Sequence, residues 1–124
     1  MADGEKKKVM IIDDEESIHT LTKVILKDYD VTSALSGPAA LELFAQGYIP
    51  NFVLLDLFMP ELNGWETFAK MREIPQLKTV PIAIYTTSED PKDRVRAQEI
   101  GAADYIVKPA KRAALQAKVA ELIQ

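Results

Sequence analysis

The fold is decided by the stretch Asn51-Phe52-Val53-Leu54-Leu55-Asp56-Leu57-Phe58-Met59-Pro60. Its four consecutive apolar residues, Phe52–Leu55, are too few for a helix and do not alternate with polar residues. This pattern is typical of a strand covered on both faces, as in the middle of a parallel sheet. The run ends on a carboxylate, and Pro60 prevents simple continuation of the strand. Ligands of open parallel sheets bind at the carboxyl ends of the strands, so Asp56 stands where chemistry is expected. Taken alone, such an aspartate is more often a turn or cap residue.

Length and composition indicate one globular domain over residues 1–124, with residues 1–7 as a flexible polar leader. Hydrophobic residues make up 48% of the chain, charged residues 27%, and the net charge of -4 offers no basic face for direct nucleic acid binding. The absence of cysteine excludes disulfides, thiolate metal sites and a cysteine nucleophile. No apolar run approaches the length of a membrane span or a signal-peptide core. We therefore predict a cytoplasmic protein with no membrane contact.

Short strand patterns alternate with helical patterns along the whole chain. Besides the central run, strands are predicted at residues 9–12, 30–34, 82–85 and 105–107. Helices are predicted from about residue 16 to 28, after the turn at 36–38, at 65–72, at 91–100, and from about 113 to the chain end. Such alternation calls for crossover connections and a parallel sheet with helices on both faces. The predicted fold class is a doubly wound α/β domain.

Four of the five predicted strands end on polar groups that can act together: Asp13, Asp14, Asp56, Thr86 and Lys108. Parallel strands place their carboxyl ends on one edge of the sheet, so these groups are expected to meet there. Carboxylates suit Mg²⁺, which prefers oxygen ligands, and a bound cation would offset the repulsion between the acids and a phosphate. On the residues alone, Asp56 either attacks phosphorus or only holds the metal. The competing interpretation is that the paired acids cap the first helix and that Thr86 is an ordinary strand-end hydroxyl.

At this point the sequence resembles the response regulator receiver domain, a flavodoxin-like family that includes the bacterial chemotaxis regulator. The resemblance runs from Val9 to Leu122. Its motifs are Asp13-Asp14, Asp56 with Met59-Pro60, Thr86, and Gly101-Ala102 leading to Tyr105-Ile106-Val107-Lys108-Pro109. The resemblance implies a five-stranded parallel sheet of order 2-1-3-4-5 with five helices. It also implies a signalling switch rather than an enzyme, although one that catalyses its own phosphorylation and slow dephosphorylation.

The resemblance also implies roles for individual residues. Asp56 would accept a phosphoryl group from a phosphohistidine on a histidine kinase or a phosphotransfer protein. The implied Mg²⁺ ligands are Asp14, Asp56, the backbone carbonyl of Phe58 and, through a bound water, Asp13. Thr86 and Lys108 would bind the phosphoryl oxygens, and Tyr105 would turn inward with Thr86 as a switch. The Lys108–Pro109 peptide is expected to be cis. The output surface would be the fourth helix, the fifth strand and the fifth helix, acting on an unknown downstream protein or fused effector.

Some positions depart from the family pattern, and we expect them to affect access to Asp56 and the rate at which it loses a phosphoryl group. Thr87 replaces the usual alanine or glycine and should narrow access to Asp56, and Ala110 replaces a common phenylalanine, which weakens packing under the last helix. The positions two after Asp56 and two after Thr86 are Phe58 and Ser88. Phe58 is apolar and Ser88 is short, so neither side chain can readily position a hydrolytic water. We therefore expect a phosphorylated form that is long-lived for the family.

Other notable side chains are assigned to ordinary roles. The apolar stripe of the first helix is predicted to comprise Ile18, Leu21, Thr22, Ile25 and Leu26. His19 lies off that stripe and is predicted to be solvated, and as the only histidine it makes no metal site by itself. Trp65, together with Phe44 and Phe68, is predicted to pack in or against the core.

Three other functions can be set against the receiver hypothesis. A degenerate receiver that binds proteins without phosphorylation is opposed by the complete set Asp14, Asp56, Thr86 and Lys108, and metal titration would discriminate. A phosphatase of the haloacid-dehalogenase type needs a second acid where this chain has Phe58. Flavin binding on this fold needs a loop of backbone donors after the first strand, where Asp13-Asp14-Glu15-Glu16 would repel the phosphate.

Overall fold

The computed structural model describes residues 5–123. The first four residues of the predicted leader and the last residue of the predicted final helix lie outside that range, and residues 5–7 have no regular secondary structure. Within residues 5–123 the strands are β1 (Lys8–Ile12), β2 (Asp30–Ala34), β3 (Phe52–Leu55), β4 (Ile82–Thr86) and β5 (Asp104–Val107). The α-helices are α1 (Glu16–Ile25), α2 (Gly37–Ala45), α3 (Gly64–Arg72), α4 (Pro91–Glu99) and α5 (Arg112–Leu122), with a 3-10 turn at Pro75–Leu77.

The strands form one parallel sheet in the order β2-β1-β3-β4-β5. Every residue of β3 is buried, as expected for a central strand whose apolar run lacks alternation. The register aligns Ile12 of β1 with Leu55 of β3, and Thr86 of β4 with Val107 of β5. The residues that follow these strands therefore emerge along one edge. The predicted fold class, strand order and number of helices are confirmed within the described range.

Two hydrophobic cores lie on opposite faces of the sheet, because successive side chains of a strand point to opposite sides. On one face, Met10, Ile12, Val53 and Leu55 pack with side chains such as Phe44 and Phe68, which come from α2 and α3. The other face is covered by α1 and α5, and its cluster comprises Val9, Ile11, Ile25, Leu26, Phe52, Leu54, Ala83, Tyr85, Ile106, Leu115 and Val119. The sheet is thus closed to water on both faces and offers its carboxyl edge for binding.

The prediction for α1 needs correction. Leu21 is 47% exposed, whereas His19 is 5% exposed and faces the interior with Thr22 and Ile25. A helix turns about 100° per residue, so a buried face centred near Thr22 includes position 19 and turns position 21 toward solvent. The helix also ends at Ile25, three residues before the predicted limit. The amide of Leu26 still bonds to the Thr22 carbonyl at 2.8 Å, but its ψ of 38° leaves the helical region.

The turn after β3 is held by the start of α3. Asn63 caps that helix in a capping box with Glu66, each accepting a hydrogen bond from the other's backbone amide. The amide of Gly64 donates to the Leu57 carbonyl at 2.9 Å. A Cβ atom at position 64 would overlap the Asp56 carbonyl oxygen and lie 2.7 Å from the Leu57 Cα, so only glycine allows this approach. The helix start thus fixes the backbone around Asp56.

Helices α3 and α4 keep some large apolar side chains near the surface. Trp65 is partly buried and packs against the core, in agreement with its predicted role, while the Arg96 guanidinium lies 4.4 Å above its ring. On α4, Ala97 is buried but Val95 is 53% exposed, so part of the apolar surface of that helix faces solvent. Within residues 5–123, no helix combines the length and the apolar character that crossing a bilayer would require.

Candidate functional site

Three carboxylates meet at the carboxyl edge of the sheet. Asp13 and Asp14 follow β1, and Asp56 follows β3, the next strand in the sheet. Because Ile12 and Leu55 are aligned, the Asp56 amide donates to the Ile12 carbonyl at 3.0 Å. One ligand atom from each of the three acids lies within 4.8 Å of the others. Asp13 and Asp56 are only 1% and 5% exposed, whereas Asp14 is open to solvent.

Lys108, which follows the edge strand β5, brings a buried cation to these acids. Its backbone amide follows β5 and donates to the Thr86 carbonyl at 2.7 Å, and the Lys108–Pro109 peptide is cis as expected. The ammonium donates to Asp13 Oδ2 at 2.6 Å and lies 3.8 Å from Asp56 Oδ2. The lysine is therefore shared unequally and pairs more closely with Asp13.

The electrostatics of Asp56 reflect its position. The pKa of this carboxyl is raised from 3.8 to about 6 as the net result of several effects: burial raises it most, the Lys108 ammonium lowers it, and the Asp13 charge raises it. The backbone N–H of Phe58 and the hydroxyl of Thr86 lower the pKa further. Burial outweighs these favourable contacts, so the ionised carboxylate is short of compensating positive charge. A bound cation would supply that charge.

The predicted switch residues lie on neighbouring strands, Thr86 at the end of β4 and Tyr105 two positions earlier in the register on β5. Thr86 is fully buried at the end of β4, and its hydroxyl accepts a long hydrogen bond of 3.4 Å from the Ser88 amide. Tyr105 is 7% exposed and points inward, with its hydroxyl donating to the Ser88 carbonyl at 2.9 Å. The Arg94 guanidinium of α4 lies 4.7 Å above the Tyr105 ring. One loop, around Ser88, therefore connects Thr86, Tyr105 and α4.

The residues predicted to set the rate lie around the mouth of the site. The side chain of Phe58 is 57% exposed, and Thr87 is also exposed. Ser88 Oγ donates to Asp93 Oδ2 at 2.6 Å and accepts from the Asp90 amide at 3.2 Å, which ties it to the first turn of α4. Ala110 is partly buried against the core under α1 and α5. Ser88 is thus already occupied by a structural contact.

His19 is the site residue that the sequence prediction missed, and its predicted solvation is wrong. The imidazole is buried, and its Nε2 lies 2.7 Å from the backbone carbonyl oxygen of Asp13. In the sequence, the hint of this contact is that His19 lies six residues after Asp13, in the first turn of α1. A histidine at such a position is as often solvated, so the spacing alone does not predict its burial.

The donor set fits a hard divalent cation. Three carboxylates that can converge on one point, one of them open to water, are ligands of the kind that Mg²⁺ takes in proteins. The arrangement offers no sulfur or imidazole ligand that would favour a softer metal. A magnesium ion is thus compatible with the residues present.

Comparison with known proteins agrees with this geometry. A family model described as the response regulator receiver domain matches residues 9–120. A probable transcriptional regulator of Porphyridium aerugineum is 38% identical over 97% of this chain and 49% of its own length. A probable cyclic di-GMP phosphodiesterase of Vibrio cholerae is 32% identical over 96% of this chain and 27% of its own length.

Among solved structures, the Vibrio cholerae chemotaxis protein CheY4 is 29% identical, with a TM-score of 0.87 over 95% of this chain and 99% of that one. The chain spans about half of the length of the first of these curated relatives and about a quarter of the second. The family match, in contrast, extends over nearly the whole described range. The chain therefore belongs to the response regulator receiver domain family of two-component signalling.

Proposed function

We propose that Asp56 accepts a phosphoryl group from the phosphohistidine of a histidine kinase or a phosphotransfer protein. A bond forms between an Asp56 carboxylate oxygen and phosphorus, and the bond between phosphorus and the donor's imidazole nitrogen breaks. The observation that carries the proposal is the buried Asp56 carboxylate at the strand edge, with Lys108 at 3.8 Å and two further acids in reach of one cation. A buried nucleophile among convergent polar groups is the arrangement that group transfer requires.

The roles of the surrounding residues follow from their positions. Asp13, Asp14, Asp56 and the Phe58 carbonyl would hold Mg²⁺, which when bound supplies positive charge near the phosphoryl oxygens. Lys108 is already inside the site, so its ammonium needs only to shift from Asp13 toward the new phosphoryl oxygens. The Thr86 hydroxyl already acts on the Asp56 carboxylate and would donate to a phosphoryl oxygen there. These contacts would stabilise the charge that develops during transfer.

The output would pass through Thr86 and Tyr105 to α4, β5 and α5. Movement of Thr86 toward a phosphoryl oxygen would disturb its contact with the Ser88 amide, and Ser88 also contacts Tyr105 and Asp93. The family relatives named above are longer proteins, one a probable transcriptional regulator and one a probable phosphodiesterase. We propose that the switched surface acts on a downstream protein or on a fused effector. No observation favours a phosphorylation-independent binding module.

The test is chemical labelling without a kinase. The protein is incubated with acetyl phosphate and Mg²⁺, and its intact mass is measured with and without a chelator. We expect one phosphoryl adduct that requires Mg²⁺ and is absent from Asp56→Asn. Asp104→Asn changes an acid at the start of β5, outside the acid cluster and paired with Lys118, so it serves as a control and should label normally. Equal labelling of Asp56→Asn, or labelling that ignores the chelator, would contradict the proposal.

A further inference from the structure

His19 joins α1 to the loop that carries two of the acids. Its ring is 5% exposed, and its Nε2 lies 2.7 Å from the Asp13 carbonyl oxygen. A carbonyl oxygen only accepts, so Nε2 must carry the proton and donate to it. Within residues 5–123, no other side chain of α1 forms a hydrogen bond to the backbone of the acidic loop.

The other atoms of Asp13 are held from different directions. Its amide donates to the Ala34 carbonyl at 3.1 Å, its Oδ1 accepts from the Glu15 amide at 2.9 Å, and its Oδ2 accepts from Lys108 at 2.6 Å. With His19 on the carbonyl, every polar atom of Asp13 has a partner. Asp13 therefore has one orientation, and the peptide that follows it is fixed through its oxygen.

Asp14 has no such support of its own. Its side chain is exposed, and among residues 5–123 no hydrogen bond or ion pair reaches its carboxylate. Its position depends on the peptide plane between Asp13 and Asp14, because the carbonyl of Asp13 and the amide of Asp14 lie in one rigid plane. A donor that fixes this carbonyl also fixes the direction in which Asp14 leaves the loop.

Burying His19 costs free energy of folding, which indicates that the histidine has a function at this position. The other ring nitrogen, Nδ1, and the hydroxyl of Ser33 are buried, and neither has a hydrogen-bond partner within residues 5–123. Both residues line an open groove of about 220 Å³ between α1 and β2. Burying a polar nitrogen without a partner costs free energy that an apolar side chain at this position would avoid. The single hydrogen bond found for the buried ring goes to Asp13.

We propose that His19 is a positioning residue for the cation site: by holding the Asp13 carbonyl through Nε2, it places Asp14 for metal binding. The inference rests on the proposed function, since it concerns the same magnesium site. Residues that orient metal ligands without touching the metal typically change affinity by about 10- to 100-fold when replaced. We expect His19 to act through Mg²⁺ affinity and not through the phosphoryl transfer itself.

Two polar substitutions separate the two ring nitrogens. In His19→Gln the side-chain amide nitrogen can occupy the place of Nε2, whereas in His19→Asn it can reach only the place of Nδ1. Mg²⁺ dissociation constants are measured by isothermal titration calorimetry without any phosphodonor. We expect His19→Asn to bind Mg²⁺ about 10- to 100-fold more weakly than the parent, and His19→Gln to bind much as the parent does.

The matched control is Ile25→Val, which shortens a buried side chain on the same helix without touching the acidic loop. It should lower stability and leave Mg²⁺ affinity unchanged. Equal Mg²⁺ affinity in the parent, His19→Gln and His19→Asn would overturn the role of His19 and leave the proposed function intact. Equal weakening in both His19 variants and in Ile25→Val would also overturn it, since loss of helix packing would then explain the effect. Absence of Mg²⁺ binding in the parent would overturn the proposed function as well.

Discussion

Asp56 is a carboxylate whose charged form is opposed by its own surroundings. Its pKa is raised to about 6, because burial raises the pKa by more than the contacts with Lys108, Phe58 and Thr86 lower it. The folded pKa therefore lies above the ordinary value of 3.8. A group of this kind costs nothing below pH 4, where it is protonated in both the folded and the unfolded chain. The cost grows as the pH rises from about 4, where the unfolded chain loses the proton, to about 6, and it is complete above that pH.

A substitution that removes this charge should therefore stabilise the protein at high pH. Without Mg²⁺, we expect Asp56→Asn to raise the free energy of unfolding at pH 8 by on the order of 1–3 kcal/mol, since one pKa unit corresponds to about 1.4 kcal/mol. The gain should shrink as the pH falls from about 7 to about 4. Urea unfolding of both proteins over this pH range measures it, with Asp14→Asn, which removes an exposed charge, as the control. A gain that is the same at pH 4 and pH 8 would contradict the predicted titration of Asp56.

We expect Phe58 to limit the access of water to phosphorylated Asp56. Phe58 lies two residues after Asp56, is 57% exposed, and its ring offers no hydrogen bond to a hydrolytic water, while Ser88 is engaged with Asp93 and Asp90. We expect Phe58→Asn to speed the loss of the phosphoryl group by roughly 10- to 100-fold, as the gain of an orienting group can. Decay is followed by intact mass in Mg²⁺ at neutral pH.

Two comparisons make that experiment specific. Phe58→Leu keeps the position apolar and should decay as slowly as the parent. Thr87→Ala tests whether bulk alone limits access and should accelerate decay less than Phe58→Asn. If Phe58→Asn decays no faster than Phe58→Leu, the side chain at this position does not limit hydrolysis. Ser88 is a poorer position for substitution, because its hydroxyl supports the first turn of α4.

Among the helices, α4 is connected to the site through hydrogen bonds of Ser88 in the loop that follows Thr86. Asp90 caps the helix by accepting from the Lys92 amide at 2.9 Å, and Ser88 bonds to Asp93 in the same turn. Ser88 also accepts from Tyr105 through its carbonyl. The helix itself contributes only Ala97 to the core, so few apolar contacts resist its displacement.

We therefore expect α4, β5 and α5 to respond together when the site is loaded. Beryllofluoride, which stands in for the phosphoryl group on Asp56, should shift backbone amide resonances across residues 91–122 and not only in the loops beside the metal. Tyr105→Phe, which removes the hydroxyl bond to Ser88, should reduce the shifts in α4. Asp56→Asn is the control and should show none. Shifts confined to the loops at residues 13–15 and 57–59 would show that the site is not coupled to this surface.

On the scale of the whole molecule, the carboxyl edge is a concentration of like charge on a chain that is acidic overall, with a net charge of -4. Because the sheet is packed on both faces, the acids are held close together at its edge, and their repulsion lowers the stability of the fold. A cation that binds only the folded state would relieve it by mass action.

We expect Mg²⁺ to raise the thermal unfolding midpoint of the parent. At 100 times the dissociation constant, the stabilisation should approach about 2.7 kcal/mol. Asp14→Asn and Asp56→Asn should lose most of this increase, since each removes a member of the acid cluster. A sodium chloride control at equal ionic strength separates binding from general screening. An equal rise in the parent and in Asp14→Asn would place the effect outside the cluster.

Much of the site was predictable because it depends on where strands end. Apolar runs that stop on polar residues mark those ends in the sequence, and parallel strands bring their carboxyl ends to one edge. Asp13, Asp14, Asp56, Thr86 and Lys108 were therefore predicted to be neighbours, and the structure brings the acids and Lys108 together. The roles of these residues in phosphoryl transfer stay predictions until they are measured.

By itself, then, the sequence determined the alternation of strands and helices, the doubly wound sheet and the set of groups on its carboxyl edge. Only the tertiary structure decided which partner each group has. Lys108 pairs with Asp13 across 95 positions of sequence and stays farther from Asp56, and His19 turns inward while Leu21 turns outward. The physical reason is that local pattern sets which residues share an element, whereas the rotation of a helix and the choice between two nearby carboxylates depend on packing against distant segments. The periodicity of α1 locates its apolar side only to within about one residue. That is too coarse to show that His19, and not Leu21, faces the interior and reaches the site.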